Sequence, residues 1–223
     1  MEKISALVRG FWRDHFRTAA PLVELLVVIL FLAFIFGPDP SREYYPWPYL
    51  LLSFNLLAIV LSAVCTSLVT WRNSDDKMLL LVLTAGKQNY YLSLLLTALL
   101  LSLFWTVIAL IVVLGVAPLS GSMKIANWGA MTGNLLIVAA LFLVFSPLTG
   151  RSVEIAYAII LAGIGLGYTW SGLPGKVIGY LLPPLQANVK VAFGSAWPVC
   201  RDLIYFGILL FIGLYRFMRR EFS

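Results

Sequence analysis

Apolar runs of about twenty residues recur along nearly the whole chain, and a helix that crosses a bilayer needs roughly 20 such residues. The tracts between the runs are short and polar, and none is long enough to be a separate globular domain. Of the 223 residues, 61% are hydrophobic and 12% are charged, against roughly 25% charged in a soluble domain. In hydrocarbon the backbone has to satisfy its own N–H and C=O groups, so spans of this composition are helices. The expected fold is all-α integral membrane, a six-transmembrane-helix bundle with an N-terminal interfacial amphipathic helix.

Residues 1–18 form the amphipathic segment. Ile4, Leu7, Val8, Phe11, Trp12 and Phe16 fall on one helical face, and Lys3, Arg9, Arg13, Asp14 and Arg17 take the other. A helix that is apolar on one side and basic on the other lies in the membrane interface. Residues 19–223 are then one transmembrane domain. Its spans are expected at Pro21–Gly37, Tyr49–Trp71, Tyr91–Val116, Trp128–Pro147, Val153–Trp170 and Cys200–Phe217. The tract Gly37-Pro-Asp-Pro-Ser-Arg-Glu is a turn. Tyr44, Tyr45, Trp47 and Tyr49 make an aromatic belt. A cytoplasmic segment, 72–90, joins spans two and three. Pro174, Pro183, Pro184 and Pro198 break 171–199 into short outer helices, on the surface or dipping into the bilayer.

The net charge is +6, and its distribution sets the orientation. With the N-terminus inside, the cytoplasmic side holds Lys3, Arg9, Arg13, Arg17, Arg72, Lys77, Lys87, Arg151, Arg216, Arg219 and Arg220. The outer side holds Arg42, Lys124, Lys176, Lys190 and Arg201. The excess is inside, as membrane insertion favours. Both termini are therefore expected in the cytoplasm of a multi-pass protein of a prokaryotic cytoplasmic membrane. The basic balance points to the lipid bilayer as a partner and not to nucleic acid. A seventh span within 171–199 would put the C-terminal arginines outside, against this pattern. The N-terminus is not expected to be a cleavable signal peptide, since Arg9, Arg13 and Arg17 are spread too widely and no small-residue cleavage motif follows.

Several chemistries lack their residues. Gly86-Lys87 and Gly175-Lys176 have neither the upstream glycine nor the following Ser/Thr of an ATP-binding loop. Gly163-x-Gly-x-Gly167 lies in an apolar span and suits close helix packing. Two cysteines and one histidine offer no metal-site spacing, and Cys65 and Cys200 should lie at different depths, too far apart for a disulfide. The lone His15 sits on the interfacial helix, so an intramembrane serine protease has no base. Glu24 and Glu154 lie near cytoplasmic ends of spans, where Arg17 and Arg151 are their expected partners. Asn55 and Asn134 are expected to hydrogen-bond across helices. No catalytic residue, metal site or cofactor of the chain's own is expected, and it is not expected to be an enzyme. Transport by such a chain needs an energised partner.

The segment that carries a function is Arg72–Ser93. It starts with Asp75-Asp76-Lys77, continues through Met78-Leu79-Leu80-Leu81-Val82-Leu83-Thr84, breaks at Ala85-Gly86, and enters the next span at Lys87. Such a segment forms a short helix along the membrane face whose exposed side fits a groove on a soluble partner. Here the chain resembles the permease subunits of type 2 ABC transporters, which have an N-terminal interfacial helix, six spans and a short coupling helix between spans two and three. Many members start that helix with a Gly-Thr-Leu-Glu-like sequence, where this chain has Asp76-Lys77-Met78-Leu79. The resemblance implies that Asp75, Asp76, Lys77, Leu79, Leu80, Leu83, Thr84, Gly86 and Lys87 couple the chain to an ABC ATPase subunit. It also implies a second permease subunit, in a homo- or heterodimer, with ATP and Mg on the ATPase. Export is the usual direction. The short outer loops favour a hydrophobic or membrane-derived substrate.

Two other classes compete. A non-transporting scaffold or assembly subunit predicts partners without nucleotide hydrolysis. A lipid-modifying enzyme needs a polar catalytic cluster, and only 171–199 has room, where Gln186, Asn188 and Lys190 are too ordinary to supply one.

Overall fold

A computed structural model describes residues 2–37, 45–73, 77–116, 119–120, 125–169 and 197–220. Among these the chain is helical, with α1 (Glu2–Phe16), α2 (Ala20–Phe36), α3 (Trp47–Arg72), α4 (Lys77–Ala85), α5 (Lys87–Val116), α6 (Ile125–Val144), a 3-10 turn (Pro147–Thr149), α7 (Val153–Thr169) and α8 (Trp197–Arg219). The helices follow the apolar runs within a few residues at each end. Asp75, Asp76 and almost all of 171–199 lie outside the described residues, as does Tyr44. The side chains of Tyr45, Trp47, Tyr49, Lys77 to Leu80, Gly163, Gly165 and Gly167 are likewise outside what is described.

Two described helical segments are long and apolar enough to cross a membrane, Ser53–Arg72 and Lys87–Gly115. A third crossing results if α1 and α2, bent by 74° at their junction, count as one broken span. The apolar stretches Met131–Val144 and Val153–Ala162 are shorter. The chain is thus an all-helical protein with membrane-spanning capacity. The faces of α5 show why. Ser93, Thr97, Ser102 and Thr106 are buried and each hydroxyl donates to the carbonyl four residues back. That pattern satisfies the hydroxyls without water. Leu96, Leu100, Leu103, Val107, Ile111 and Leu114 are exposed at the spacing of one helical stripe. An exposed apolar stripe of this length belongs against acyl chains.

The core runs between α3, α5, α6 and α8, with α2 and α1 on one side. A second cluster joins α3 and α6 to Ala156 and Ile160 of α7. The α3–α6 contact carries two buried polar links. Asn134 Nδ2 donates to Asn55 Oδ1 at 3.1 Å, as its sequence position predicts, and Ser62 Oγ donates to the Leu135 carbonyl at 2.9 Å. Helix α8 packs most extensively on α6, and Gly133 makes this possible. The Asp202 carboxylate occupies the space a Cβ would need there. Cys65 is buried, Cys200 is exposed, and both are free thiols.

The helix ends sort into two levels. At one, Tyr45–Pro46, between α2 and α3, pairs in parallel with Leu119–Ser120, between α5 and α6. At the other, hydrogen bonds tie the end of α3 to the start of α2, the start of α5 to the end of α8, and the end of α8 to the turn after α6. The segments assigned to one side by charge therefore meet one another.

Candidate functional site

Helix α4 is nine residues long, as the Leu-rich run predicts, and it sits among those joined ends. Its inner face is Val82 and Ala85, both buried, with Leu81 packed partly against the core. Its outer face bears Leu83, 75% exposed, and Thr84, whose hydroxyl donates to the Leu81 carbonyl at 3.2 Å. Between α4 and α1 runs a cleft of about 360 Å³, lined by Leu7, Gly10 and Phe11 of α1 and by Leu81, Thr84 and Ala85 of α4. An exposed leucine beside an apolar cleft is a surface with something to bury.

Gly86 is the whole connection between α4 and α5. Its φ of +87° lies in the left-handed region, where a Cβ is penalised, and its N–H donates to the Val82 carbonyl at 2.9 Å, closing α4. A Cβ there meets nothing within 4 Å, so strain is the only cost. Gly86→Ala is expected to destabilise the chain by about 1 kcal/mol, read as a small fall in melting temperature in detergent without loss of folding.

The foot of α4 is fastened on several sides. Tyr90 Oη donates to the Asn73 carbonyl at 2.6 Å, closing the excursion where it began. Asn73 Nδ2 donates to the Val69 carbonyl at 2.7 Å. Lys87 Nζ donates to the Met218 carbonyl at 3.0 Å and the Arg220 carbonyl at 2.6 Å, which places a cation on the negative end of α8. Arg220 in turn donates to the Pro147 and Leu148 carbonyls. Phe217 lies against Tyr90 and Tyr91, and Phe11 meets Tyr90 edge-on. Of the residues expected to couple, Leu83 and Thr84 face outward, Gly86 is the joint, and Lys87 is turned inward as a tether.

A second polar centre was not legible in the sequence. Glu24 is fully buried, and it does not meet Arg17 at the interface as its position suggests. Its Oε2 takes a hydrogen bond from Trp105 Nε1 at 2.6 Å and lies 3.0 Å from His15 Nε2. Cys65 and Ser102 adjoin the group. The bend between α1 and α2 brings His15 back onto Glu24, and both lie on the core side. The signals available were a lone glutamate in an apolar helix and the only histidine nine residues before it; Trp105 is too distant in sequence to be paired with them by pattern. Glu154 is exposed in the first turn of α7, where the helix dipole favours an anion. Among the described residues no group of three or more His, Cys, Asp or Glu side chains gathers as a metal site would require.

The fold and these centres define an all-helical chain with two or three candidate membrane spans, in which a short helix with an exposed leucine lies among the joined helix ends. Compared with known proteins, the chain matches no family model, and no curated protein matches its sequence.

Proposed function

We propose that this chain is the membrane permease subunit of an ATP-driven exporter of the type 2 ABC kind, in a prokaryotic cytoplasmic membrane with both termini inside. The single observation that carries the reading is α4, a short helix held rigidly at its foot while Leu83 stands 75% exposed. Such an arrangement suits docking into a groove on a soluble ATPase. Six spans are part of the proposal. The alternation of helix ends between two levels supports them, as does the match of α2, α3, α5, α6, α7 and α8 to the six apolar runs.

In this reading a partner ATPase holds ATP and Mg and pushes on α4 as it closes. A second permease subunit, identical or not, faces this one across a path for a hydrophobic or membrane-derived substrate. The chain itself does no chemistry. The test is a mild-detergent pull-down of the tagged chain with mass spectrometry and an ATPase assay of the eluate. A stoichiometric ABC ATPase with vanadate-sensitive turnover is expected. A clean preparation repeatedly free of ATPase would overturn the proposal in favour of a membrane scaffold.

A further inference from the structure

Beside the α1–α2 bend lies a second cavity, about 230 Å³, which shares Phe11 and Asp14 with the cleft at α4; Arg17, Thr18, Arg72 and Asn73 form its polar lining and Phe11 and Val69 its apolar part. Arg72 is the last residue of α3, and Trp71 beside it is 70% exposed, as aromatic side chains are where a span leaves the bilayer. The cavity therefore opens at the level of lipid headgroups. Two guanidinium groups line it, and among the described residues neither forms an ion pair. Arg72 donates to Thr18 Oγ1 and, at 3.4 Å, to the Asp14 carbonyl, which fixes it across the mouth. Asp14 also lines the cavity, but its carboxylate lies 4.0 Å from Arg13 Nε. The start of α2 is closed on itself, since Ala20 N–H donates to Thr18 Oγ1, Pro21 has no N–H, and Leu22 N–H donates to the Ala19 carbonyl, so the two guanidinium groups carry the positive field.

We infer that this cavity binds a phosphate group, and specifically the headgroup phosphate of an anionic lipid of the inner leaflet. Planar guanidinium groups match phosphate oxygens in a bidentate way. The apolar part at Phe11 and Val69 accepts the glycerol and the first acyl carbons. A basic pocket between helices at the cytoplasmic face is the setting in which anionic lipids are retained. The inference rests on the proposed orientation, with this end of the helices cytoplasmic, and stands whether or not the chain is a permease.

The test uses the full-length chain in nanodiscs of phosphatidylcholine with and without phosphatidylglycerol, with native mass spectrometry to count retained lipids. The wild type is expected to keep phosphatidylglycerol preferentially. Arg17→Gln should weaken that retention about fivefold, and Arg17→Gln with Arg72→Gln more. Arg17 is exposed, so the single variant should fold and keeps the test decisive if the double variant does not. Lys3→Gln with Arg9→Gln removes charge from the same helix outside the cavity, leaves the Arg13–Asp14 pair in place, and should leave retention unchanged. Equal loss in both sets would mean diffuse attraction to a charged surface and would overturn the site, as would equal retention. In neutral nanodiscs, inorganic phosphate is the second probe. If it raises the melting temperature of the wild type but not of Arg17→Gln, and phosphatidylglycerol does not, the ligand is a soluble phosphate and the lipid assignment is overturned.

Discussion

Glu24→Ala is expected to destabilise the protein by about 3 kcal/mol. The carboxylate is fully buried, and it serves two partners from different helices, His15 and Trp105. Removing it leaves the Trp105 N–H and the His15 ring in an apolar setting with a void between them. Breaking one side of a buried polar pair costs about 3–5 kcal/mol, because the remaining group keeps its desolvation penalty. For a chain of this size that corresponds to a fall in melting temperature of roughly 6–12 °C, measured on detergent-solubilised protein. Glu24→Gln keeps the shape and still accepts from Trp105, so it should lose about 1 kcal/mol. If the two variants melt together with the wild type, the three side chains do not hold the α1–α2 bend.

Leu83→Asp acts on the opposite quantity. Leu83 is exposed in the isolated chain, and surface substitutions change stability by less than about 0.5 kcal/mol. The melting temperature should not move. If Leu83 is an anchor in a groove of an ATPase, however, a buried aspartate there should cost about 2–4 kcal/mol of binding, roughly 30- to 1000-fold. Pull-down of the ATPase and transport should fail together while the chain stays monodisperse. Intact ATPase binding and transport in Leu83→Asp would falsify the assignment of α4 as the coupling helix. The two substitutions thus separate what folds the chain from what connects it.

The fold is legible in the sequence where information is local and periodic. Apolar run length located α2, α3, α5, α6, α7 and α8, because a helix in hydrocarbon has to be apolar over its own length. Helical spacing also placed Val8 and Phe11 of α1 inward and Arg9 and Arg13 outward. Asn55 and Asn134 make the cross-helix hydrogen bond expected of buried amides in spans, and the structure shows that their partner is each other. The Glu24 centre was misplaced at the interface for a physical reason. Proximity to Arg17 along the chain says nothing about a 74° bend, and the bend decides which face of α1 meets α2. Lys87 was read as a contact for a partner because it flanks the Leu-rich run. Its amine also reaches to the end of α8, more than a hundred residues on, which no local pattern encodes.

In the proposed coupling, the joint at Gly86 sets how a push on α4 would reach α5. Helix α4 ends and α5 begins on either side of one residue, so there is no slack chain to stretch between them. A displacement of α4 is either absorbed by two torsion angles or delivered whole to a helix of 30 residues. The Tyr90 and Lys87 bonds lie within one turn of the joint and stiffen its far side. In the proposed coupling, the arrangement would act as a crank with a short throw and a long shaft: a push on α4 would be delivered along the 30 residues of α5.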